Sequence, residues 1–268
     1  MNVVAARRYL VALDLDGTTV NHDGKLSSGV AAAVTDLVAA GHLLILATGR
    51  SIVATMPLVA ELGLGPGYAV CSNGAVTIAL DPARAGGYEI VETVTFDPRP
   101  ALTLLRQAIP GALFAVEEPG VGFKVSSPFP EGELGGDQTV VDWEDIVGHP
   151  ATRVTLRRPE ATLEEFMHQV EQAGLHGVSY AIGWTAWLDI NPEGVTKASA
   201  LEILRRRLHI EPGMTVAVGD QRNDVEMLQW AARGVAMGNG PDEVKAVADE
   251  VAGDVDDDGL VPVLRSLL

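Results

Sequence analysis

The chain has 268 residues, and its 19 lysines and arginines stand against 36 aspartates and glutamates, for a formal net charge of −17. So acidic a chain argues against a nucleic-acid partner and against docking on anionic membranes, since both require a basic footprint. The length allows one large domain or two modest ones, and the single cysteine, Cys71, excludes an internal disulfide and indicates a reducing compartment.

Two further features bear on where the protein acts. No stretch contains the ~18 uninterrupted apolar residues of a membrane-spanning helix, and Met1–Arg8 has no apolar segment of the kind found in signal peptides. We therefore expect a cytoplasmic protein without a membrane partner. The six histidines are scattered and lack cysteine partners, which argues against a zinc site.

The first 80 residues alternate between strand and helix patterns. Short apolar runs that end in polar residues or glycine predict three buried strands. These cover Tyr9–Leu15, His42–Ala47 and Tyr68–Cys71. Helices are predicted between them, from Ser27 or Ser28 to Ala40 and over Ser51–Leu62. This order of elements indicates a parallel, doubly wound sheet with right-handed crossovers.

The middle of the chain, from about Asp81 to Trp187, has a different composition. Glycine, proline and polar residues are frequent there, the run Tyr88–Val94 alternates like a strand, and helix-like stretches occur at Ala101–Ala108 and Leu163–Ala173. We interpret this part as an α+β module that is inserted into the first domain.

The alternation of strands and helices returns after Trp187. Helices are predicted at Thr196–Leu208, Asn223–Ala232 and Asp242–Ala252, and strands at Thr215–Val218 and Gly234–Met237. The predicted architecture is α/β, a doubly wound, Rossmann-like parallel-sheet core with an inserted α+β cap domain. Residues 1–81 and 188–268 form the core in this interpretation, and residues 82–187 form the cap.

The most informative segment is Asp14-Leu15-Asp16-Gly17-Thr18, which follows the first predicted strand directly. Open α/β sheets bind their ligands at the carboxyl ends of the strands, so both carboxylates are expected there. Two carboxylates this close repel each other unless a cation or a shared proton compensates. An enzyme can use such a pair as nucleophile and proton shuttle with a divalent metal between them.

Three other loops follow predicted buried strands in the same way. They are Thr48-Gly49-Arg50, Ser72-Asn73-Gly74 and Gly219-Asp220-Gln221-Arg222-Asn223-Asp224. In a parallel sheet all four loops converge on one edge. Together they would supply two pairs of aspartates, hydroxyl groups and asparagines to one site.

The residue types indicate phosphoryl transfer. Asp14 can attack phosphorus and form an aspartyl-phosphate, and Asp16 can protonate the leaving oxygen and then activate a water. Carboxylate and carbonyl oxygens favour a hard cation such as Mg²⁺, with Asp220, and Asp224 behind it, completing an oxygen cage. Thr48, backbone N–H groups near Gly49, and Lys197 at the start of a helix can hold phosphate oxygens.

In these motifs the chain resembles the haloacid dehalogenase-like phosphatases, and among them the Cof-type hydrolases with a large α/β cap. The resemblance is carried by the four loops and three later segments, and it covers both ends of the chain. These segments are Glu193-Gly194-Val195-Thr196-Lys197, Ala236-Met237-Gly238-Asn239-Gly240 and Asp256-Asp257-Asp258-Gly259-Leu260.

The resemblance implies a role for each matching residue. Asp14 would be the nucleophile and Asp16 the general acid and base. The metal would be held by the Asp14 carboxylate, the Asp16 backbone carbonyl and Asp220. Thr48 and Lys197 would bind the phosphoryl group, and Asn223 and Asp224 would order the phosphate and the metal-bound water. Phosphate or substrate contacts are also considered for Gly49, Arg50 and Asn73, although Arg50 could equally pair with a core acid and Asn73 could cap the next segment.

The function predicted from the sequence is a Mg²⁺-dependent phosphatase that acts on a small phosphorylated metabolite, with a sugar phosphate favoured. A phosphosugar mutase is the alternative enzyme, and it would require a second, basic phosphate site in the cap. Its candidate residues are Arg99, Arg106, Lys124, Arg153, Arg157 and Arg158. A third alternative is a phosphoacceptor domain, against which the inserted module and Asp16 count, or a binding protein without turnover. The sequence does not indicate an oligomeric state.

Overall fold

The computed structural model describes residues 8–183 and 185–268. Most of the Met1–Arg8 segment, which was considered above as a signal peptide, therefore lies outside the described residues. Two compact units are present. The core unit comprises the residues up to Gly49 together with Leu58–Val91 and Thr196–Leu268. The inserted unit comprises Arg50–Pro57 and Glu92–Val195.

The strands and α-helices of the described residues are numbered in chain order. The strands are β1 (Leu10–Leu13), β2 (Leu43–Ala47), β3 (Gly67–Cys71), β4 (Val76–Leu80), β5 (Tyr88–Thr93), β6 (Leu113–Glu118), β7 (Gly122–Val125), β8 (Asp137–Val140), β9 (Val154–Arg157), β10 (Val178–Ile182), β11 (Trp187–Pro192), β12 (Thr215–Gly219), β13 (Arg233–Ala236) and β14 (Glu250–Val251). The helices are α1 (Ser28–Ala39), α2 (Ile52–Glu61), α3 (Arg99–Ala108), α4 (Trp143–Val147), α5 (Leu163–Ala173), α6 (Lys197–Arg207), α7 (Val225–Trp230), α8 (Asp242–Lys245) and α9 (Leu260–Arg265).

The core unit is built on an eight-stranded sheet in the order β14-β13-β12-β1-β2-β3-β4-β5. The strands from β14 to β3 are parallel, and β4 runs antiparallel to β3. Every residue of β1 and β12 is buried, as expected for parallel strands that are covered on both faces. The predicted α/β core with a parallel, doubly wound sheet is thereby confirmed.

The inserted unit contains a six-stranded sheet in the order β10-β11-β9-β6-β7-β8. Its pairs are antiparallel except for the parallel pair of β7 and β8. Alternate residues of β6, β9 and β11 form an apolar cluster with α3, α4 and α5. This cluster includes Phe114, Leu156, Leu188, Leu105 and Phe166. The period-2 pattern of these strands therefore gives the unit its own hydrophobic core.

The main boundaries between the two units lie later in the chain than the composition predicts. Apart from Arg50–Pro57, which also belongs to the inserted unit, the units change after Val91 and after Val195, whereas the predicted boundaries follow residues 81 and 187. The polar residues after Asp81 form the connection from β4 to β5, where the Asp81 N–H donates to the Gly87 carbonyl at 2.9 Å. β5 therefore continues the core sheet, while β11 belongs to the sheet of the inserted unit.

Two predicted helices near the C-terminus are wrong in extent. The helix predicted over Asp242–Ala252 ends at Lys245, and β14 follows it. Asp249 causes the change, because its N–H donates to the Gly234 carbonyl and its carboxylate accepts from the Gly234 N–H, both at 2.8 Å. The helix predicted over Asn223–Ala232 is a 3₁₀ turn at Arg222–Asp224 followed by the short α7. No helix among the described residues is long and apolar enough to cross a membrane.

Candidate active site

The four loops identified in the sequence lie at the carboxyl ends of four adjacent parallel strands. The register pairs Leu13, at the end of β1, with Val218 of β12 on one side and with Leu46 of β2 on the other. Ala47 of β2 pairs in turn with Val70 of β3. The polar loops therefore begin side by side along one edge of the sheet.

The loop after β1 places Asp14 in the interior. The Asp14 N–H donates to the Val218 carbonyl at 3.0 Å, its own carbonyl accepts from the Thr19 hydroxyl at 2.6 Å, and the residue is 4% exposed. The chain turns at Gly17, which has a φ of 78°. A Cβ atom at Gly17 would overlap the Asp220 carboxylate, so this glycine lets the loops after β1 and β12 approach each other closely.

Asp14, Asp220 and Asp224 form an acidic cluster in which one carboxylate oxygen from each lies within 4.8 Å of the other two. Burial and the charges of the two neighbouring aspartates raise the pKa of Asp14 well above its ordinary value, although Lys197 opposes this. Burial and the Asp224 charge likewise raise the pKa of Asp220 to about 6. Burial is thus the main cause of both shifts, and the mutual repulsion of the aspartates adds to it.

Lys197 supplies the positive charge that lies directly in this cluster. It is the first residue of α6, which Thr196 caps by accepting the Ser199 N–H. Its Nζ atom donates to Oδ1 of Asp14 and to Oδ1 of Asp224, each at 2.6 Å. Burial disfavours the ammonium form, but the two carboxylates outweigh it and raise the pKa of Lys197. The unfavourable position of a cation at a helix N-terminus is thus compensated by Asp14 and Asp224.

Asp224 is held by protein donors on both of its oxygens. Oδ1 accepts from Lys197, and Oδ2 accepts from the backbone N–H groups of Asp220 and Gln221 at 3.0 and 2.9 Å. This side chain therefore shapes the loop after β12 and positions Lys197, while its predicted role in ordering metal-bound water stays a prediction.

Asp16 differs from Asp14 in its surroundings. Asp16 is exposed, whereas Asp14, two positions earlier, is buried. The Gly17 N–H donates to the Val20 carbonyl at 2.8 Å, which closes the loop just beyond Asp16. One carboxylate of the pair is therefore embedded next to Lys197 while the other can reach solvent or a bound molecule.

The loops after β2, β3 and β12 bring together four of the predicted phosphate-binding residues. The Asn73 N–H donates to the Thr48 carbonyl at 3.0 Å, and the Asn223 Nδ2 group donates to Oδ1 of Asn73 at 2.9 Å. A Cβ atom at Gly49 would lie 3.1 Å from Oδ1 of Asn73. Asn73 adopts a left-handed conformation with a φ of 54°, which asparagine tolerates better than most residues.

Arg50, the remaining predicted phosphate contact, belongs to the inserted unit. Its Nη1 group donates to the Ala54 carbonyl at 3.4 Å, at the start of α2. A phosphate contact for Arg50 stays a prediction.

Three contributors to the site were not assigned roles from the sequence. The Thr18 hydroxyl donates to Oδ1 of Asp220 at 3.2 Å. Oδ2 of Asp220 accepts from the side-chain amides of Gln221, at 2.7 Å, and Asn239, at 3.3 Å. Asn239 follows β13 between two glycines, Gly238 and Gly240, and that pattern beyond a buried strand is the signal that could have identified it.

The donor set suits a hard divalent cation. Carboxylate oxygens are the ligands that Mg²⁺ prefers. Burial, with added repulsion from the neighbouring aspartates, disfavours the ionised forms of Asp14 and Asp220 and raises their pKa values. A cation bound between these two carboxylates would remove that repulsion.

Comparison with known proteins identifies the family. A family model described as haloacid dehalogenase-like hydrolase matches residues 11–105 and 126–264. The chain belongs to the haloacid dehalogenase-like hydrolases. The match includes both the motif-bearing loops of the core and most of the inserted unit, and the likeness extends to the Cof-type phosphatases.

Individual relatives of this haloacid dehalogenase-like hydrolase are phosphatases. The chain is 25% identical over 270 residues to the 5-amino-6-(5-phospho-D-ribitylamino)uracil phosphatase YitU of Bacillus subtilis, covering 96% of each chain. It is 27% identical over 245 residues to the HMP-PP phosphatase of Yersinia enterocolitica, covering 88% of this chain and 86% of the relative. These likenesses and the family match make the protein a phosphoric monoester hydrolase.

A solved structure supports the same fold. A sugar phosphatase of HAD subclass IIB superposes with a TM-score of 0.81 at 22% identity, covering 97% of this chain and 100% of the other. At this level of identity the likeness concerns the fold, and it extends over nearly the whole of this hydrolase.

Proposed function

We propose that this protein is a Mg²⁺-dependent phosphatase that hydrolyses a small phosphorylated metabolite, with a sugar phosphate as the leading candidate, through an aspartyl-phosphate on Asp14. The observation that carries the proposal is the buried Asp14 carboxylate, which lies within 2.6 Å of the Lys197 ammonium and beside Asp220. Asp14 is the nucleophile in this proposal because its loop holds it at the edge of the sheet, where a ligand binds.

The residues that would hold Mg²⁺ are Asp14 and Asp220 through their carboxylates and Asp16 through its backbone carbonyl. When bound, Mg²⁺ offsets the negative charges of Asp14 and of the approaching phosphate group. Asp224 supports this arrangement by fixing Lys197 and the backbone of Asp220.

In the first half of the reaction a carboxylate oxygen of Asp14 attacks the phosphorus atom. The new Asp14–phosphorus bond forms while the bond from phosphorus to the ester oxygen breaks. Asp16 gives its proton to that oxygen, so that the product leaves as a neutral alcohol. The exposure of Asp16 fits a group that must reach a leaving oxygen beyond the loop.

In the second half a water molecule attacks phosphorus and transfers a proton to the Asp16 carboxylate. The bond between phosphorus and Asp14 breaks, inorganic phosphate leaves, and both aspartates return to their starting states. Lys197 stays paired with the Asp14 carboxylate, or with the phosphoryl oxygens that replace its charge, and so stabilises the developing negative charge.

We assign the remaining phosphate contacts to the loops after β2 and β3. The buried Thr48 precedes Gly49, whose lack of a side chain lets the linked side chains of Asn73 and Asn223 approach this loop closely. Neutral hydroxyl and amide donors can orient phosphate oxygens without adding cations that would compete with the metal for the carboxylates.

A sugar phosphate is the first substrate to test because the superposing solved structure is that of a sugar phosphatase. The relatives YitU and the HMP-PP phosphatase are named for other phosphorylated compounds. The substrate class is therefore put forward as small organic phosphates, with sugar phosphates tested before heterocyclic ones.

The charges of the inserted unit favour a phosphatase over a mutase. A mutase requires a basic cluster for a second phosphate, yet four of its six candidate cations pair with separate acids. The pairs are Arg99 with Glu144, Lys124 with Glu118, Arg153 with Glu117 and Arg157 with Glu133. Arg106 lies over the Trp143 ring, and Arg158 donates to Gln169. These cations are distributed among local partners instead of facing one anion.

The proposal is tested by phosphate release from p-nitrophenyl phosphate and a panel of sugar phosphates, with Mg²⁺ and with a chelator. Repeated turnover that requires the metal and disappears in Asp14→Asn supports the proposal. Turnover that survives in Asp14→Asn would contradict the assigned nucleophile, and turnover that survives chelation would contradict the metal requirement. Conversion of a sugar phosphate to its isomer without release of phosphate would favour the mutase.

A further inference from the structure

The carboxylate of Asp220 is held by two neutral side chains that the proposed mechanism does not use. Gln221 Nε2 donates to Oδ2 of Asp220 at 2.7 Å, and Asn239 Nδ2 donates to the same oxygen at 3.3 Å. We call these two side chains the carboxamide pair. The Thr18 hydroxyl holds the other oxygen, Oδ1, at 3.2 Å, so that the carboxylate plane of Asp220 is fixed from both sides.

Asn239 also connects Asp220 to the loop of the nucleophile. The same Nδ2 group that contacts Asp220 donates to the carbonyl of Gly17 at 2.8 Å. Gly17 follows Asp16, whose carbonyl is the proposed backbone ligand of the metal. One amide group therefore joins the two loops that would supply ligands from β1 and β12.

The position of Asn239 is itself constrained by close backbone packing. A Cβ atom at Gly238 would lie 2.9 Å from the Asp254 nitrogen, and one at Gly240 would lie 2.7 Å from the Asp220 carbonyl oxygen. Oδ1 of Asn239 accepts from the Val255 N–H at 3.0 Å. The side chain thus has each polar end occupied and no freedom to turn its amide away from Asp220.

The uncharged nature of the pair matters for a cation site. A lysine or arginine at either place would neutralise the carboxylate of Asp220 and weaken its attraction for a divalent cation. Amide donors orient the carboxylate and leave its charge available. Groups that hold metal ligands from behind commonly change metal affinity by ~10–100-fold when they are removed.

We propose that Gln221 and Asn239 are positioning residues that orient Asp220 and join it to the nucleophile loop, and that they thereby set the affinity of the site for Mg²⁺. This inference rests on the proposed metal dependence. Neither residue is given a contact with substrate. Gln221 acts through Asp220 and through the turn to Asp224, which its side chain caps, and Asn239 acts through Asp220 and the Gly17 carbonyl.

The test is calorimetric titration of the full chain, freed of metal with a chelator and dialysed, with MgCl₂ alone. Asn239→Ala and Gln221→Met should each weaken Mg²⁺ binding by about 10–100-fold. Their turnover should approach that of the wild type once Mg²⁺ is raised to saturation. The second variant keeps a side chain of similar length, so the test remains if Asn239→Ala fails to fold.

Asn21→Ala is the matched control. Asn21 is also half-buried, and its Nδ2 group joins the same first loop region to the C-terminal segment by donating to Asp256 at 3.2 Å. Its Oδ1 atom accepts from the N–H groups of Asp23 and Lys25. Its Mg²⁺ affinity should equal that of the wild type. The melting temperature of each metal-free variant separates a loss of folding stability from a loss of metal affinity.

The titration distinguishes a failure of the positioning role from a failure of the proposed metal dependence. If the wild type binds Mg²⁺ and the two variants bind it equally tightly, or lose only melting temperature, the positioning role is wrong while the proposed phosphatase stands. If the wild type binds no Mg²⁺, the metal dependence in the proposed function fails and the inference fails with it.

Discussion

The Nζ atom of Lys197 lies 2.6 Å from Oδ1 of Asp14, although 183 positions separate the two residues in the chain. The same ammonium lies 2.6 Å from Asp224, so a single cation serves two buried carboxylates. This contact joins the beginning of α6 to the ends of β1 and β12, and it places the positive charge where a phosphoryl group on Asp14 would need it.

Replacement of Lys197 by methionine should therefore impair both stability and activity. The two carboxylates lose their shared cation in a buried site, for which we expect a loss of about 3–5 kcal/mol in the free energy of unfolding and a fall in kcat of ~100-fold or more. Chemical denaturation and phosphate release measure the two effects.

Lys25→Met is the control for this substitution. Lys25 pairs with Asp23 at 3.7 Å, and the two side chains are 78% and 74% exposed. Its loss should change the free energy of unfolding by less than about 1 kcal/mol. An equal effect of the two substitutions would contradict the importance of the buried contact.

The exposed position of Asp16 predicts a dependence on the leaving group. Asp16→Asn should reduce the formation of the phosphoenzyme far more for sugar phosphates than for p-nitrophenyl phosphate, because nitrophenolate leaves without a proton and a sugar alkoxide does not. Rapid-mixing measurements of the first turnover give the two rates. Equal losses on both substrates would remove Asp16 from the role of general acid.

The linked amides of Asn73 and Asn223 predict non-additive kinetics. Each alanine substitution removes the 2.9 Å hydrogen bond between the two side chains. The second substitution should therefore lower kcat/KM less when the first is already present. A double-mutant cycle on kcat/KM should give a coupling of about 0.5–1.5 kcal/mol. Strictly additive effects would indicate that the two residues act on the substrate independently.

The sequence could predict which loops meet at the site because the predicted strands were parallel. Apolar runs before Asp14, Thr48, Ser72 and Asp220 are enough to place those residues at one edge of a sheet. Sequence patterns also predicted a helix over Thr196–Leu208 with Lys197 in its first turn. They did not predict that the Lys197 ammonium would reach Asp14 and Asp224, since such a contact depends on how the helix packs against the sheet.

Other features depended on pairings between distant segments. The loop from Asp81 to Gly87 has the composition of a domain boundary, yet it connects β4 to β5 within one sheet. Asp249 ends the predicted helix by pairing with Gly234, and the role of Asn239 depends on its contacts with Gly17 and Asp220. Local periodicity contains no information about such partners.

The raised pKa of Asp220 predicts how the metal-free protein responds to pH. The carboxyl has a pKa of about 6 in the folded protein against an ordinary value of 3.8, so the protonated form favours folding. That contribution is fully present below pH 3.8 and is lost as pH rises through about 6.

Asp220→Asn does not titrate and should gain stability relative to the wild type over this pH range, by up to about 3 kcal/mol at neutral pH. Melting temperatures measured with a chelator from pH 4 to 8 test this. Added Mg²⁺ should raise the melting temperature of the wild type at pH 7 and leave that of Asp220→Asn nearly unchanged. A wild type that gains stability relative to Asp220→Asn as pH rises would contradict the raised pKa of Asp220, which burial and the charge of Asp224 cause.

In the proposed mechanism the phosphoryl group passes through Asp14. This step is tested most directly by quenching the enzyme with acid during turnover of a substrate that it hydrolyses and locating the phosphoryl group by peptide mass spectrometry. We expect a phosphorylated peptide whose modified residue is Asp14, accumulating further in Asp16→Asn and absent from Asp14→Asn. A phosphoryl group on another residue, or turnover with no modification of Asp14 in either the wild type or Asp16→Asn, would contradict it.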